Sequence, residues 1–352
     1  FLYSGIEEIG LFIAYIGAFS ALLAAIIATR QTDIKKILAY STMSQLGYMF
    51  IAVGLGFYSS GLFHVFTHAF FKAMLFMGAG GVIIALHHEQ NIFNIAKHRA
   101  ILPIISATFL IGVIAISGIP PFSGFFSKDA ILAAAFQEGH YLIYGIALFT
   151  AFLTAFYMFR LYFVVFVTPN HHKKEYVYTS KTITFPLVVL AVGAVTAGFL
   201  NLPSIFGGTH MVDTWLGSLN SKTITLSHST EYILMALSVL VASFGIFIAY
   251  KKYARFDLEK PELEVGFVGR KLYVDELYDI LFVKTSKAIS CFIDKVLDAK
   301  IIDAFIMKSS IYFVAIGRKV ALIQNANVRF YAVFMLAGMT CIFVYLYLKL
   351  GL

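Results

Sequence analysis

Apolar runs long enough to cross a membrane recur along the chain, separated by short polar turns. They lie at about 9–29, 38–58, 61–86, 101–136, 141–168, 183–203, 231–250 and 329–350. None alternates apolar and polar with the period of two that a barrel strand requires. A helix of roughly 20 apolar residues spans the hydrocarbon core. The pattern therefore predicts an all-α polytopic membrane protein with about eight transmembrane helices. The fourth run is interrupted. It is apolar as far as Ile119, breaks over GIPPFSG at 118–124, and resumes as FFSKDAILAAAF.

Residues 277–318 follow another pattern. They keep helical propensity but carry Lys284, Lys287, Asp294, Lys295, Asp298, Lys300, Asp303 and Lys308. As one helix the segment would be roughly 60 Å long at 1.5 Å per residue, about twice the hydrocarbon thickness. It is too long and too charged to cross. A long amphipathic lateral helix along the membrane surface, ahead of the last span, is the expectation. Two shorter helices parted near Lys308, Ser309 and Ser310 are the alternative. The chain thus divides into a helix repeat at 1–168, two further spans with loops at 169–276, the lateral helix at 277–318 and a C-terminal span at 319–352.

Composition agrees. Of 352 residues, 60% are hydrophobic and 13% charged, which excludes an ordinary soluble domain. The net charge of +8 is scattered among loops, which suits an anionic membrane surface and not nucleic acid. One set of loops collects Arg30, Lys35, Lys36, Lys97, Arg99, Lys173, Lys174, Lys181, Lys251, Lys252 and Arg255; the other has Lys222, with Lys349 near the C-terminus. The positive-inside bias places the first set on the cytoplasmic (or matrix) side. Cys291 and Cys341 are isolated in apolar surroundings, so disulfides, zinc and iron–sulfur clusters have no support. No phosphate-cradling glycine loop, nucleotide fingerprint or nucleophile triad is present. The chain opens at Phe1, not Met, and enters a span within a few residues with no signal peptide, so it reads as part of a longer chain.

Two stretches carry chemistry. In FHVFTHAFFKAMLF at 63–76, His64, His68 and Lys72 stand four residues apart. Each step of four advances about 40° around a helix, so the three side chains form one stripe over roughly 12 Å. A lysine at membrane depth is costly unless paired, hydrated or neutral, and histidine changes charge near physiological pH. A row of groups that can each take and pass a proton is what a proton relay needs. The alternative for any one of them is plain: Lys72 snorkels and the histidines bond neighbouring helices. In GIPPFSGFFSKDA, Pro120 and Pro121 cannot donate backbone hydrogen bonds. The backbone groups they release survive at depth only where protein or water satisfies them. Lys128 and Asp129 follow the break, and a hydrated ion pathway explains break and charges together; an interfacial kink is the alternative.

Other polar residues carry weaker signals. Ser41, Thr42, Ser44, Gln45 and Tyr48 enter the second span and can bond water. Tyr157 and Arg160 lie late in a span, where Arg160 is expected to snorkel. HHKKE at 171–175 reads as a solvated loop before a metal site.

Taken together, QTDIKKILAYSTMSQLGYMF (31–50), FHVFTHAFFKAMLF (63–76), HHEQNIF (87–93) and SGIPPFSGFFSKDAIL (117–132) resemble the proton-translocating antiporter-like subunits of respiratory complex I. HHEQNIF and the lateral segment favour the distal, L-type subunit. The resemblance is strong over about 31–168 and weaker to the end. It implies a fold of two inverted five-helix repeats, each a half-channel with a broken helix; this chain resembles the second repeat plus the lateral arm. By position, Lys72 matches the central lysine of that half-channel, His64 and His68 the histidines that help carry protons, and Lys128 and Asp129 the charged pair near the outward path. The resemblance further implies a membrane subunit of an NADH:quinone oxidoreductase with no cofactor in this chain. Its partners would be other antiporter-like and membrane subunits, clamped by the lateral helix, and its place a bacterial inner membrane or the mitochondrial equivalent, with the lateral helix on the cytoplasmic side. A Mrp-type cation/proton antiporter subunit, a membrane-bound hydrogenase subunit and a structural clamp of the membrane arm remain open.

Overall fold

The computed structural model describes residues 7–98, 100–168, 175–176, 180–203, 207–208, 211–216, 221–258, 266–322 and 326–350. It divides into two units, Phe1–Leu272 and Tyr273–Leu352.

The first unit is a helix bundle. It comprises α1 (Glu7–Ala28), α2 (Ile34–Gly54), α3 (Tyr58–Ala85), the short α4 (Ile92–His98), α5 (Pro103–Ser117), α6 (Ser123–Gln137), α7 (Tyr141–Tyr162), α8 (Lys181–Thr196), the short α9 (Met211–Trp215) and α10 (His228–Tyr253). Helix α7 runs on into a π-helical turn, Phe163–Val167, and α8 into a 3-10 turn, Ala197–Asn201. Two-residue strands β1 (Ala100–Ile101) and β2 (Glu175–Tyr176) pair in parallel. Among the described residues seven helices are long and apolar enough to cross a membrane, including α14 of the second unit, introduced below. Helices α5 and α6 supply the eighth crossing in two halves, as the interrupted run predicts.

The break has identifiable causes. Gly118 adopts a left-handed φ of 75° and ends α5, a conformation only glycine takes cheaply. Pro120–Pro121 is a cis peptide bond. Gly124 then lets α6 start against the Ala115 carbonyl, where a Cβ would have no room.

Apolar packing between helices gains little in lipid, so small residues that let backbones close up do the work. Helices α1 and α2 cross on Gly10 against Gly54 and Gly17 against Gly47, with Ala14, Ala18 and Ala21 buried alongside.

The two ends of the bundle are tied differently. At one, the turn after α1 and the turn before α4 exchange backbone bonds: Ile34 N–H donates to Gln90 O at 3.0 Å and Ile92 N–H to Thr32 O at 2.9 Å. HHEQNIF is therefore a structural turn. Glu89 accepts from Gln90 N–H and Asn91 N–H, both at 2.8 Å, and from Asn94 Nδ2 at 3.1 Å. Arg160 joins this end and corrects the snorkelling expectation. It is 0% exposed; Nη1 donates to Gln31 O at 2.8 Å and the guanidinium sits 5.8 and 5.5 Å from the Phe93 and Tyr253 rings. A planar, weakly hydrated guanidinium between aromatic faces is stable where an extended side chain has no water to reach. At the opposite end a strap, 221–227, is fastened down: Lys222 N–H donates to Gly56 O at 3.0 Å, and Gln137 bonds Thr223 O at 3.1 Å and Thr225 N–H at 2.7 Å. Lys222 also pairs with Glu138 at 2.6 Å. Arg30, Lys35, Lys36, Lys97 and Lys252 belong to the first end and Lys222 to the second, matching the charge asymmetry of the sequence. Residues 99, 171–174 and the metal question they raise lie outside the described residues.

In the second unit, α11 (Val274–Tyr278), α12 (Thr285–Phe292) and α13 (Ala304–Ala321) are joined by π-helical stretches, Asp279–Lys284 and Ile293–Asp303. The helical run passes unbroken through Lys308, Ser309 and Ser310, so one long element is formed and not two; its irregular turns fall earlier. Helix α14 (Val328–Leu350) follows. No described side chain of this unit is buried.

Two outcomes follow from these contacts. An added Cβ at Gly47 would lie 2.7 Å from Ala21 N, whereas one at Gly80 meets nothing within 4 Å. Gly47→Leu should lose about 1–3 kcal/mol to overpacking and lower the midpoint of thermal unfolding in detergent, while Gly80→Leu leaves it near wild type. For Glu89, the Asn91 N–H holds the carboxyl below the usual carboxylate range, with Gln90, Asn94 and His98 adding to the effect against partial burial. A lowered folded-state pKa stabilises above the unfolded value and stops doing so as pH falls through the folded value. Amide protection factors of residues 86–98 should therefore fall in Glu89→Gln at neutral pH, and the two proteins should converge in acid.

Candidate functional site

The site lies where α2, α3 and α6 meet inside the first unit. Helix α3 carries the stripe, and its burial is uneven. His64 is 1% and Lys72 5% exposed; His68 is half-buried. The Lys72 ammonium donates to Leu38 O of α2 at 2.9 Å and lies 5.6 Å from the Phe76 ring. That places a cation inside an apolar shell with a carbonyl and a ring face as its described partners.

The residues of the stripe face one way, as their spacing predicts, but among the described contacts no hydrogen bond joins them. The His64 and His68 rings stand 6.2 Å apart, centre to centre. The direct bonds run sideways. His64 Nδ1 meets Ser127 Oγ of α6 at 2.9 Å and Nε2 meets Gln45 Oε1 of α2 at 3.2 Å. The neutral imidazole then donates from Nε2–H to the Gln45 carbonyl and accepts at Nδ1 from the Ser127 hydroxyl. When Nδ1 gains a proton it becomes a donor, and the Ser127 hydroxyl has to turn. Two acceptors are ready for it, Thr67 Oγ1 at 2.8 Å and Ser123 O at 3.3 Å. Ser127 is thus a swinging hydroxyl between the stripe and the broken helix.

Lys128 and Asp129 are 3% and 5% exposed, so both side chains lie inside the bundle. Adjacent in sequence, they diverge. The Lys128 ammonium lies 4.9 Å from the centre of the Tyr48 ring, and the Tyr48 hydroxyl is anchored on Ala147 O. Asp129 turns the other way and accepts from Ser238 Oγ of α10 at 2.9 Å. It also lines a cavity of about 230 Å³ with Ser60, Asn201, Lys222 and Glu231, on the strap side of the bundle. The site therefore has a lysine toward the basic end, a histidine–serine junction at mid-depth, a second lysine, and a carboxylate on a cavity at the far end. Every member can hold or release a proton. No group of three or more histidine, cysteine or acidic side chains suited to a metal occurs among the described residues.

Ser127, Ser238 and Glu231 were not singled out by the sequence. Ser127 sat within the motif but reads as an ordinary helical serine. Glu231 and Ser238 are seven apart, two turns of one helix face, in an otherwise apolar span; that spacing was the available signal.

Comparison with known proteins gives a consistent result. Residues 1–154 match the family described as NADH:quinone oxidoreductase/Mrp antiporter, TM. The chain is 35% identical over 369 residues to the chloroplastic NAD(P)H-quinone oxidoreductase subunit 5 of Chlorokybus atmophyticus, covering 95% of this chain and 53% of the relative. It is 35% identical over 329 residues to NADH-quinone oxidoreductase subunit L of Campylobacter jejuni, covering 93% and 53%. The chain thus spans about half the length of the curated relatives it matches. Among solved structures, the Mrp complex from Dietzia sp. aligns with a TM-score of 0.56 at 19% identity, over 89% of this chain and 34% of that one, which supports the fold. A chain of the archaeal membrane-bound sulfane sulfur reductase aligns with a TM-score of 0.51 at 27% identity, over 69% and 45%. Over nine-tenths of its length the chain is thus similar to one half of the antiporter-like subunit 5 and subunit L chains of NAD(P)H- and NADH-quinone oxidoreductases, and its first 154 residues match the family they share with Mrp antiporters.

Proposed function

We propose that this chain supplies a proton half-channel and a lateral arm to a proton-translocating, redox-driven NADH (or related donor):quinone oxidoreductase. The observation that carries this reading is the buried series itself: Lys72, His68, His64, Ser127, Lys128 and Asp129 descend in order from the basic end to a cavity at the strap end. Buried ionisable groups on the facing sides of membrane helices are expensive and are retained where they move ions. Both His64 nitrogens are already bonded, to Ser127 and Gln45, so passage from His68 requires the His64 ring to release one of them. Protons pass along the series by making and breaking N–H and O–H bonds, with no redox change in this chain. Two like charges about 4 Å apart repel by about 1 to 4 kcal/mol as the effective dielectric constant falls from 80 to 20. Charge on one member of the series therefore favours proton release from its immediate neighbour, and the coupling passes from member to member.

The second unit fits the lateral arm. Its exposed apolar side chains and interspersed lysines and aspartates suit a helix lying on neighbouring membrane subunits and lipid. The charge asymmetry between the ends of the first unit supports a cytoplasmic (or matrix) side for its basic end. The family description names Mrp antiporters as well, which favours one second reading: sodium-dependent proton exchange without quinone reduction.

The deciding experiment is Lys72→Met in the full-length subunit within native membranes, with assembly checked on a native gel. Quinone-linked proton uptake by inverted vesicles should fall at least roughly tenfold, the scale of losing a positioned proton-transfer group, with turnover falling alongside. Unchanged uptake would sink the relay. Uptake that requires sodium and persists without quinone reduction would establish the antiporter reading.

A further inference from the structure

Asp129 is the last member of the series, yet it does not end the polar path. It shares the 230 Å³ cavity with a second carboxylate, Glu231. The two come from different elements, α6 and α10, and Ser238 of α10 bonds Asp129 two turns below Glu231. Glu231 lies near enough for its charge to act on Asp129. An acid in the first turn of a helix is ordinarily there to complement the helix dipole from the surface. Glu231 is only 7% exposed, although exposure would serve the dipole equally well. The strap lines the cavity through Lys222 and Thr223, and the cavity is polar enough and large enough for several waters.

We propose that Glu231 is a proton-relay carboxylate, taking the proton from Asp129 and handing it to water in the cavity beneath the strap. The step is a plain transfer: the O–H bond of Asp129 breaks as that of Glu231 forms, and the second breaks in turn as cavity water takes the proton. Two carboxylates lining one cavity can exchange a proton through the water it holds. Among the described residues, the other titratable groups near the pair are Lys222, ion-paired with Glu138, and Tyr144 of α7, on which the charge of Asp129 acts; Lys128, next in sequence to Asp129, turns toward Tyr48. Lys222 gives the released proton a positive neighbour, which favours its departure over its return. This assignment rests on the relay reading above.

The test uses the assembled complex in inverted vesicles, comparing Glu231→Gln and Glu231→Asp with Lys72→Met. The expected result is that Lys72→Met stops proton transport, Glu231→Gln slows it at least roughly tenfold and alters its pH profile, and Glu231→Asp restores both. A purely dipolar role would leave the pH profile unmoved. If Lys72→Met stops transport while Glu231→Gln keeps wild-type rate and profile, the role of Glu231 is overturned and the relay stands. If Lys72→Met is silent, the relay falls and Glu231 with it. Should Glu231→Gln not assemble, a hydrophobic carbodiimide on the unmodified complex decides. It attaches to buried protonated carboxyls, so mass spectrometry finding the label on Glu231 supports the proposal, and finding none there overturns it.

Discussion

The backbone break between α5 and α6 is the constraint on which the site depends. In a bilayer each unpaired backbone group is costly, so a helix can be interrupted at depth only if protein or water takes over its hydrogen bonds. Here Gly118 turns the chain back, and Gly124 brings the new helix against the carbonyl of Ala115. The outcome is that α6 begins inside the bundle. Ser127, Lys128 and Asp129 then stand within its first two turns, buried, and not at a surface end where such residues ordinarily start a helix.

Once α6 starts at depth, the neighbouring helices have to accommodate it. His64 bonds Ser127, Tyr48 presents its ring to Lys128, and Ser238 bonds Asp129. Each compensates for polarity buried within the bundle. A bundle packed mainly through small residues, as at Gly17 and Gly47, gains little from side-chain burial in lipid. Its polar junctions therefore contribute a larger share of the specificity than they would in water.

The ends of the bundle divide the labour. At the basic end, the turns before α2 and α4 bond each other and Arg160 is buried beside them. At the other end the strap is held by exposed contacts of Gln137, Glu138 and Gly56 over a cavity.

Much was legible beforehand. Eight crossings, the interrupted fourth, the single stripe of His64, His68 and Lys72 and the long helix ahead of the last span all follow from local rules: apolar length, helical period and the inability of proline to donate. What those rules could not supply is partnership between distant segments. Arg160 looked like a snorkelling side chain because its position late in a span is all that sequence reports; Gln31, Phe93 and Tyr253 hold it inside. Lys128 and Asp129 read as a pair because they are neighbours in the chain, and the helix sends them to different walls. HHEQNIF read as a signature and is a backbone junction. Sequence determined which helices form and what their faces carry, since period and hydropathy are local. Tertiary packing alone decided which polar groups meet, because that depends on helix crossings set by small residues far apart in the chain.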